Sequence, residues 1–409
     1  MRAIIVGAGE VGRQLARVLS ESKNDVVVID TDDALLEQLR DSYDIMTVSG
    51  NGATSRTLVK AGINKADLLL AVTNNSEANI LACSIAKKFG VAQKIARLKS
   101  SEYFDVANDL TEATFGIDKA IIPEYECATS IFEALMRPAV KETVKFSHPD
   151  AQMVNIQLLP GSPMLGNRLA DMPQPELFQQ LRICGVVRFG QFIVPRGSTV
   201  LLAHDEVYVA GAQNRIDDLI SWACPKQEPA SKVVIGGASR IGRTLASMLA
   251  TFDMRVILIE PDRDRAERAA DTLGSQVMIM TGESTDRSVL EESDIDICDA
   301  YISCHEDNES NVLSCIMAKR EGADKVITVT NHPDYMRIIS SMNMIDCGFS
   351  PLVESINLLI QQISPENRQT VCILKRAPAE VLELTVTAKS SVASKMIKDI
   401  KCPTDVVLA

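Results

Sequence analysis

Apolar residues in the first part of the chain fall into short unbroken runs at residues 2–6, 26–30, 45–48, 68–72, 94–98 and 120–122. Runs of this length without alternation suit strands covered on both faces. Amphipathic stretches of helical period lie between them. Residues 78–89 are one, with an apolar face at Ile80, Leu81, Ser84–Ile85 and Lys88–Phe89. Gly90 and Gly116 punctuate helix ends. The alternation predicts right-handed βαβ units and a doubly wound parallel sheet, an α/β fold.

Residues 151–224 follow another rule. Short alternating runs at 153–158, 183–188, 191–193 and 206–210 are separated by turn signals, and 215–222 reads as a closing helix. This is a small α+β module. The polar segment PKQEPAS, residues 225–231, is the clearest boundary in the chain.

The first pattern then returns. IIVGAGEVGRQLA at 4–16 is repeated as VIGGASRIGRTLA at 234–246. Gly7 falls on Gly237 and Asp30 on Glu260, at one spacing (237 − 7 and 260 − 30 both give 230). Asn79 falls on Asn311, Glu77 on Glu309 and Pro123 on Pro351. A repeat this long is duplication of a whole domain. Residues 380–387 and 394–400 resemble the start of a second small module, so the reading expects that module to be cut short at Ala409. The expected domains are 1–145, 150–225, 232–366 and 370–409.

Each copy carries candidate nucleotide chemistry. Gly7, Gly9 and Gly12 have G-x-G-x-x-G spacing. That pattern gives a tight turn, close backbone approach to a pyrophosphate, and close helix–strand packing. The following helix, opened by Glu10 and Val11, directs free N–H groups at a phosphate. Asp30 ends the second strand, where a carboxylate accepts ribose hydroxyls. No Arg immediately follows it, which favours NAD(H) over NADP(H); ATP or ADP satisfies the same contacts. Asn51, Thr73, Asn74 and Arg97 stand at later strand ends and complete the candidate contacts. In the second copy these are Gly237, Ser239, Arg240, Ile241, Gly242 and Glu260, with Ser replacing the central glycine. Thr328 is matched to Arg97 there, so the cation is lost. This second site reads as weaker, altered in ligand choice, or empty.

Composition narrows the classes. The 409 residues carry a net charge of −12, which disfavours nucleic acid and anionic lipid. No apolar run approaches the roughly 20 residues that span a bilayer. Ten scattered cysteines without a CxxC pair read as buried reduced thiols of a cytosolic protein. His148, His204, His305 and His332 show no metal-ligand spacing, and no catalytic set emerges.

The fingerprint, the SGNGAT loop, LLLAVTNNSEANILAC and the IIPE segment resemble the N-terminal lobe of RCK (KTN) domains. LPGSPMLGNRLADM and FIVPRGSTVLLAHDEVYVAG are similar to the RCK C-terminal lobe. The resemblance implies two Rossmann-like lobes, each followed by a C lobe, and no enzyme activity. It further implies NAD(H) and ATP or ADP as ligands, a homo-oligomeric ring, and docking on the cytoplasmic face of an integral-membrane potassium-translocating subunit. Helix 125–136, with Ile131, Phe132, Leu135 and Met136, is a candidate dimer contact. Three classes stay open here: regulatory subunit, NAD-dependent oxidoreductase, and ligand-blind scaffold.

Overall fold

A computed structural model describes the chain apart from residues 147, 149, 226–229, 253, 331–334, 336–338, 340–343, 364–367, 375–378, 385, 389, 397–398, 401–402 and 404. His332 therefore lies outside the described residues. The chain forms two compact units, Met1–Phe132 with Ser231–Leu359, and Glu133–Ala230 with Ile360–Ala409.

The first unit holds both copies of the repeat. In the first, β1 (Arg2–Val6), β2 (Asp25–Asp30), β3 (Met46–Ser49), β4 (Leu68–Ala71), β5 (Gln93–Arg97) and β6 (Lys119–Ile121) alternate with α1 (Glu10–Glu21), α2 (Asp33–Ser42), α3 (Ser55–Lys60), α4 (Ser76–Lys88) and α5 (Pro123–Met136). The strand order is β3-β2-β1-β4-β5-β6, and every pair is parallel. The order reverses between β1 and β4, which places the ligand crevice at their carboxyl ends. Ile4, Val27, Leu69 and Ala96 are wholly buried, as the unbroken apolar runs require. Helix starts are fixed by side-chain caps: Asp32 accepts from Ala34 and Leu35 N–H, and Asn75 from Ala78 N–H.

The apolar face expected on α4 holds in part: Ile80 and Ile85 are partly buried against the core, but the innermost positions differ. The buried residues are Ser76, Asn79, Ala82, Cys83 and Ala86, while Leu81 is 49% exposed. Small side chains let α4 lie close on β4 and β5, and the bulkier Leu81 points away. The second copy repeats this choice, with Leu313 52% exposed.

That copy comprises β12 (Lys232–Gly236), β13 (Arg255–Glu260), β14 (Val277–Thr281), β15 (Ala300–Ser303), β16 (Lys325–Val329) and β17 (Cys347–Phe349). Its helices are α8 (Arg240–Ala250), α9 (Arg263–Leu273), α10 (Arg287–Glu292), α11 (Asn308–Arg320) and α12 (Pro351–Ile363). Its strand order, β14-β13-β12-β15-β16-β17, reproduces the first. Within this unit α5 meets the second copy: Ser130 Oγ donates to Glu354 Oε2 at 3.1 Å, and the rings of Phe132 and Phe252 stand 5.2 Å apart. Ile131 is wholly buried. The helix read as a dimer contact thus finds partners inside its own chain.

The second unit is built on an antiparallel sheet of order β10-β9-β11-β8-β7, from β7 (Val140–Lys145), β8 (Ala151–Gln157), β9 (Leu181–Arg188), β10 (Gln191–Ile193) and β11 (Glu206–Ala212). The short α6 (Pro175–Phe178) and α7 (Gln213–Ala223) accompany it. Val154, Ile156, Val207, Ile216 and Leu219 share its core. Strand β7 lies inside the segment read as the end of the first lobe; its alternating VKETVK pattern belongs to this sheet instead. Asp205, 1% exposed in its side chain, is held by Arg188 through Nε at 2.8 Å and a second guanidinium nitrogen at 2.7 Å. Strands β18 (Arg368–Ile373) and β19 (Glu380–Leu384) form an antiparallel pair, and Leu374 packs with Val144, Met153 and Tyr208.

Among the described residues no helix is long and apolar enough to cross a membrane, and no cluster of His, Cys, Asp and Glu could hold a metal ion. Cys83, Cys127, Cys184, Cys224, Cys298, Cys304, Cys315 and Cys347 are free thiols. Burial pushes Cys83, Cys298 and Cys315 up to about 12, which keeps them protonated and unreactive.

Candidate functional site

The first crevice begins at the β1–α1 turn. Gly7 has φ of +112°, and a Cβ there would come within 3.0 Å of the Thr73 backbone nitrogen. A Cβ on Gly12 would lie 1.8 Å from the Gly7 carbonyl oxygen, so α1 packs on the turn only through a glycine. Gly9 is different. Its φ is −64°, which any residue adopts, and a Cβ there would meet nothing within 4 Å. The fold does not demand a glycine at this position. The open space above it is what glycine preserves. No side chain caps α1, so its first N–H groups face that space.

Asp30 organises the turn. Its Oδ2 accepts from Ala8 N–H at 2.6 Å and its Oδ1 from Asp32 N–H at 2.9 Å. Each oxygen keeps a further lone pair for a ribose hydroxyl. The crevice has a volume of about 920 Å³. Gly7, Gly9, Glu10, Val11 and Asp30 line it, as do Asn51, Thr73, Asn74 and Arg97. Gly12 sits beneath the turn and acts through packing. Glu10 is engaged by Arg13 and Gln14, and Asn51 holds its own loop by accepting from Ala53 N–H.

The far wall is tied by a residue that the candidate set omits. Asn79, wholly buried on α4, accepts from Thr73 N–H and Thr73 Oγ1 and donates to the carbonyls of Thr73 and Arg97. It fixes the ends of β4 and β5 together. Its recurrence as Asn311 was the available signal. Arg97 donates to Asn74 Oδ1 at 2.9 Å, which aims the guanidinium along the crevice. Burial lowers its pKa, and the neighbouring Glu124 carboxylate opposes that shift. The site thus offers uncapped helix N–H groups, one guanidinium and one ribose-type carboxylate. These fit a nucleotide diphosphate.

The second crevice keeps the frame and changes the lining. Gly237 has φ of +97°, and Glu260 accepts from Ala238 N–H at 2.7 Å and from Asp262 N–H at 3.1 Å. Ser239 stands where Gly9 stands, with nearly the same backbone (φ −61°, ψ 173°), and its Oγ takes Gly242 N–H. The helix end that is open in the first copy is capped here. Arg265 replaces Leu35 and reaches Glu260 and Glu306. His305 replaces Thr73, and its Nε2 lies 2.6 Å from Ser284 Oγ. Burial pushes the His305 pKa down.

Tyr301 replaces Leu69 and fills space that Gly236, in place of Val6, leaves open; a Cβ on Gly236 would lie 2.1 Å from the tyrosine oxygen. The remaining volume is about 400 Å³. Gly237, Ser239 and Glu260 line it; Arg240, Ile241 and Gly242 do not. Arg240 donates to the Lys99 carbonyl of the first copy, and Ile241 is buried. The residue in register with Arg97 is Val329, not Thr328. Ala96 pairs with Ala71 and Thr328 with Ser303, so the next residue in each strand corresponds. Val329 is 2% exposed, and the cation is indeed missing.

Comparison with known proteins follows the same division. The TrkA-N domain model matches residues 3–123 and again 233–350, and the TrkA-C domain model matches 153–223. The Trk system potassium uptake protein TrkA of Vibrio alginolyticus is 32% identical over 98% of this chain and 88% of its own length. A TrkA homologue of Methanosarcina mazei is 30% identical over 98% of this chain and 99% of its own. Among solved structures, the GsuK RCK domain superposes with a TM-score of 0.61 at 18% identity, covering 88% of this chain and 75% of that one. The GsuK channel bound to NAD gives 0.62 at 18% identity, covering 88% and 62%. These neighbours share the RCK fold. Two TrkA-N matches flanking a TrkA-C match, with relatives aligned over nearly the whole chain, place this protein in the TrkA family of potassium uptake proteins, which is not a family of enzymes.

Proposed function

We propose that the chain is a nucleotide-sensing regulatory subunit that gates a Trk-type membrane potassium transporter from the cytoplasmic face of the membrane. The observation that carries this reading is the uncapped N-terminus of α1 beneath the open space at Gly9, with Asp30 beside it. A fold that served only as scaffold would be free to cap that helix, as Ser239 caps its counterpart. NAD(H) is the favoured ligand, and ATP or ADP the alternative. The GsuK neighbours described as bound to NAD and to ADP support both choices. Gly7, Gly9, Asp30, Thr73, Asn74 and Arg97 would hold the ligand. The second site, capped by Ser239 and crossed by Arg265, would take it weakly or not at all. The functional assembly would be a homo-oligomeric ring in which residues 370–409 belong to a second C lobe.

A ligand moves such a ring only through unequal affinity for two arrangements, typically worth about 1–3 kcal/mol per effector. Calorimetric titration with NADH, NAD, ATP and ADP tests the ligand. Saturable binding near one ligand per chain, lost in Asp30→Ala, is expected. Binding by none of the four would end the sensor reading. Potassium flux through a reconstituted Trk-type membrane subunit, with and without the bound nucleotide, tests gating; flux indifferent to nucleotide would refute it.

A further inference from the structure

The two crevices differ in what closes them. Every residue lining the second belongs to the second lobe. The first is lined at one end by Pro123 and Glu124 of its own lobe, and also by Pro351, Leu352 and Ser355 at the start of α12 in the second lobe. The two lobes are fastened near this point by the Ser130–Glu354 hydrogen bond and the Phe132–Phe252 contact. Ser355 is wholly buried and spends its hydroxyl proton on the Pro351 carbonyl, so it has no donor left for a ligand. Leu352 is half-buried and presents an apolar side chain to the crevice.

The position of this wall along the site matters. Asp30 and Asn51 mark the end that would take an adenosine, on the β2 and β3 side. The diphosphate would lie over the start of α1, and Arg97 stands beyond it. A ligand that crosses the switch point therefore carries its second half towards Pro123, Glu124 and α12. ADP would end before that wall, whereas a dinucleotide would reach it. Proline and leucine there suit the face of a planar ring and give nothing to a third phosphate.

Resting on the dinucleotide reading above, we infer that Leu352 of the second lobe is part of the first lobe's ligand site and packs on the second heterocycle and ribose of a bound dinucleotide. The ligand would then touch both lobes, and the affinity for a dinucleotide would depend on how α12 sits against the first crevice.

The test is calorimetry on the full chain with NADH and with ADP, comparing wild type, Leu352→Ala and Leu352→Asp, with the urea midpoint of each variant as the folding check. Leu352→Ala should weaken NADH roughly tenfold, the scale of losing one leucine contact, and Leu352→Asp should weaken it further. ADP should stay within about twofold. NADH affinity unchanged in both variants, or NADH and ADP weakened equally, would overturn the inference while leaving the nucleotide site standing. Failure of wild type to bind either ligand would instead remove the reading on which it rests.

Discussion

The two Rossmann-like lobes share a strand order, a left-handed glycine at the first turn and a carboxylate that braces it, yet one crevice is wide and the other is narrowed from within. What survives duplication is what the fold needs: Gly7 and Gly237, Gly12 and Gly242, Asn79 and Asn311. Among the residues that line the first crevice, Gly9, Leu35, Thr73 and Arg97 change in the second copy, and so do Val6 and Leu69 in the interior.

The largest expected effect falls on the shared residues. Gly12→Val and Gly242→Val should each destabilise by roughly 3 kcal/mol or more, because the new Cβ meets a backbone carbonyl that cannot rotate away. Urea unfolding measures this, and an unchanged midpoint in either would show that the helix can slide.

Next comes the repacked interior. Gly236→Val alone should cost about 1–3 kcal/mol by overpacking against Tyr301. Adding Tyr301→Leu and Ser284→Gly, which installs the first copy's residues, should recover most of the loss. Additive losses would show that these positions are not one packing unit.

The helix cap gives a smaller effect with opposite consequences in the two copies. Gly9→Ser should weaken nucleotide binding about tenfold with stability held or slightly raised, since a serine cap replaces open N–H groups. Ser239→Gly should cost only a few tenths of a kcal/mol. Calorimetry on both variants decides; undiminished affinity in Gly9→Ser would show that ligand does not use that end of α1.

The smallest effect is a pH dependence confined to the second copy. Burial holds the His305 pKa below its unfolded value of about 6.5. The unfolded state then binds the proton more readily, so this contribution is present above that value and is lost as pH falls through the folded pKa. Melting curves from pH 7.5 to 5 should fall less steeply in His305→Thr than in wild type. Parallel curves would remove the histidine from the account.

Much of this was legible in the sequence because parallel strands buried on both faces read as unbroken apolar runs, and the fingerprint fixes the crevice among them. The face of α4 was only partly read: Ile80 and Ile85 do pack on the core, but the deepest places go to the small Ala82 and Ala86 while Leu81 stays out. Val140–Lys145 was overlooked because its alternating charges look like surface until β8 is beside it. The closing of the second site was only half visible. Ser239 could be seen to replace a glycine, but the exchange of Val6 and Leu69 for Gly236 and Tyr301 has meaning only once their strands are neighbours.

The contact between the lobes includes the hydrogen bonds Ser130–Glu354 and Arg240–Lys99 and the ring pair Phe132–Phe252. Each such contact contributes about 1 kcal/mol. Carried on one polypeptide, the lobes meet at the effective concentration set by their tether rather than at that of the cell.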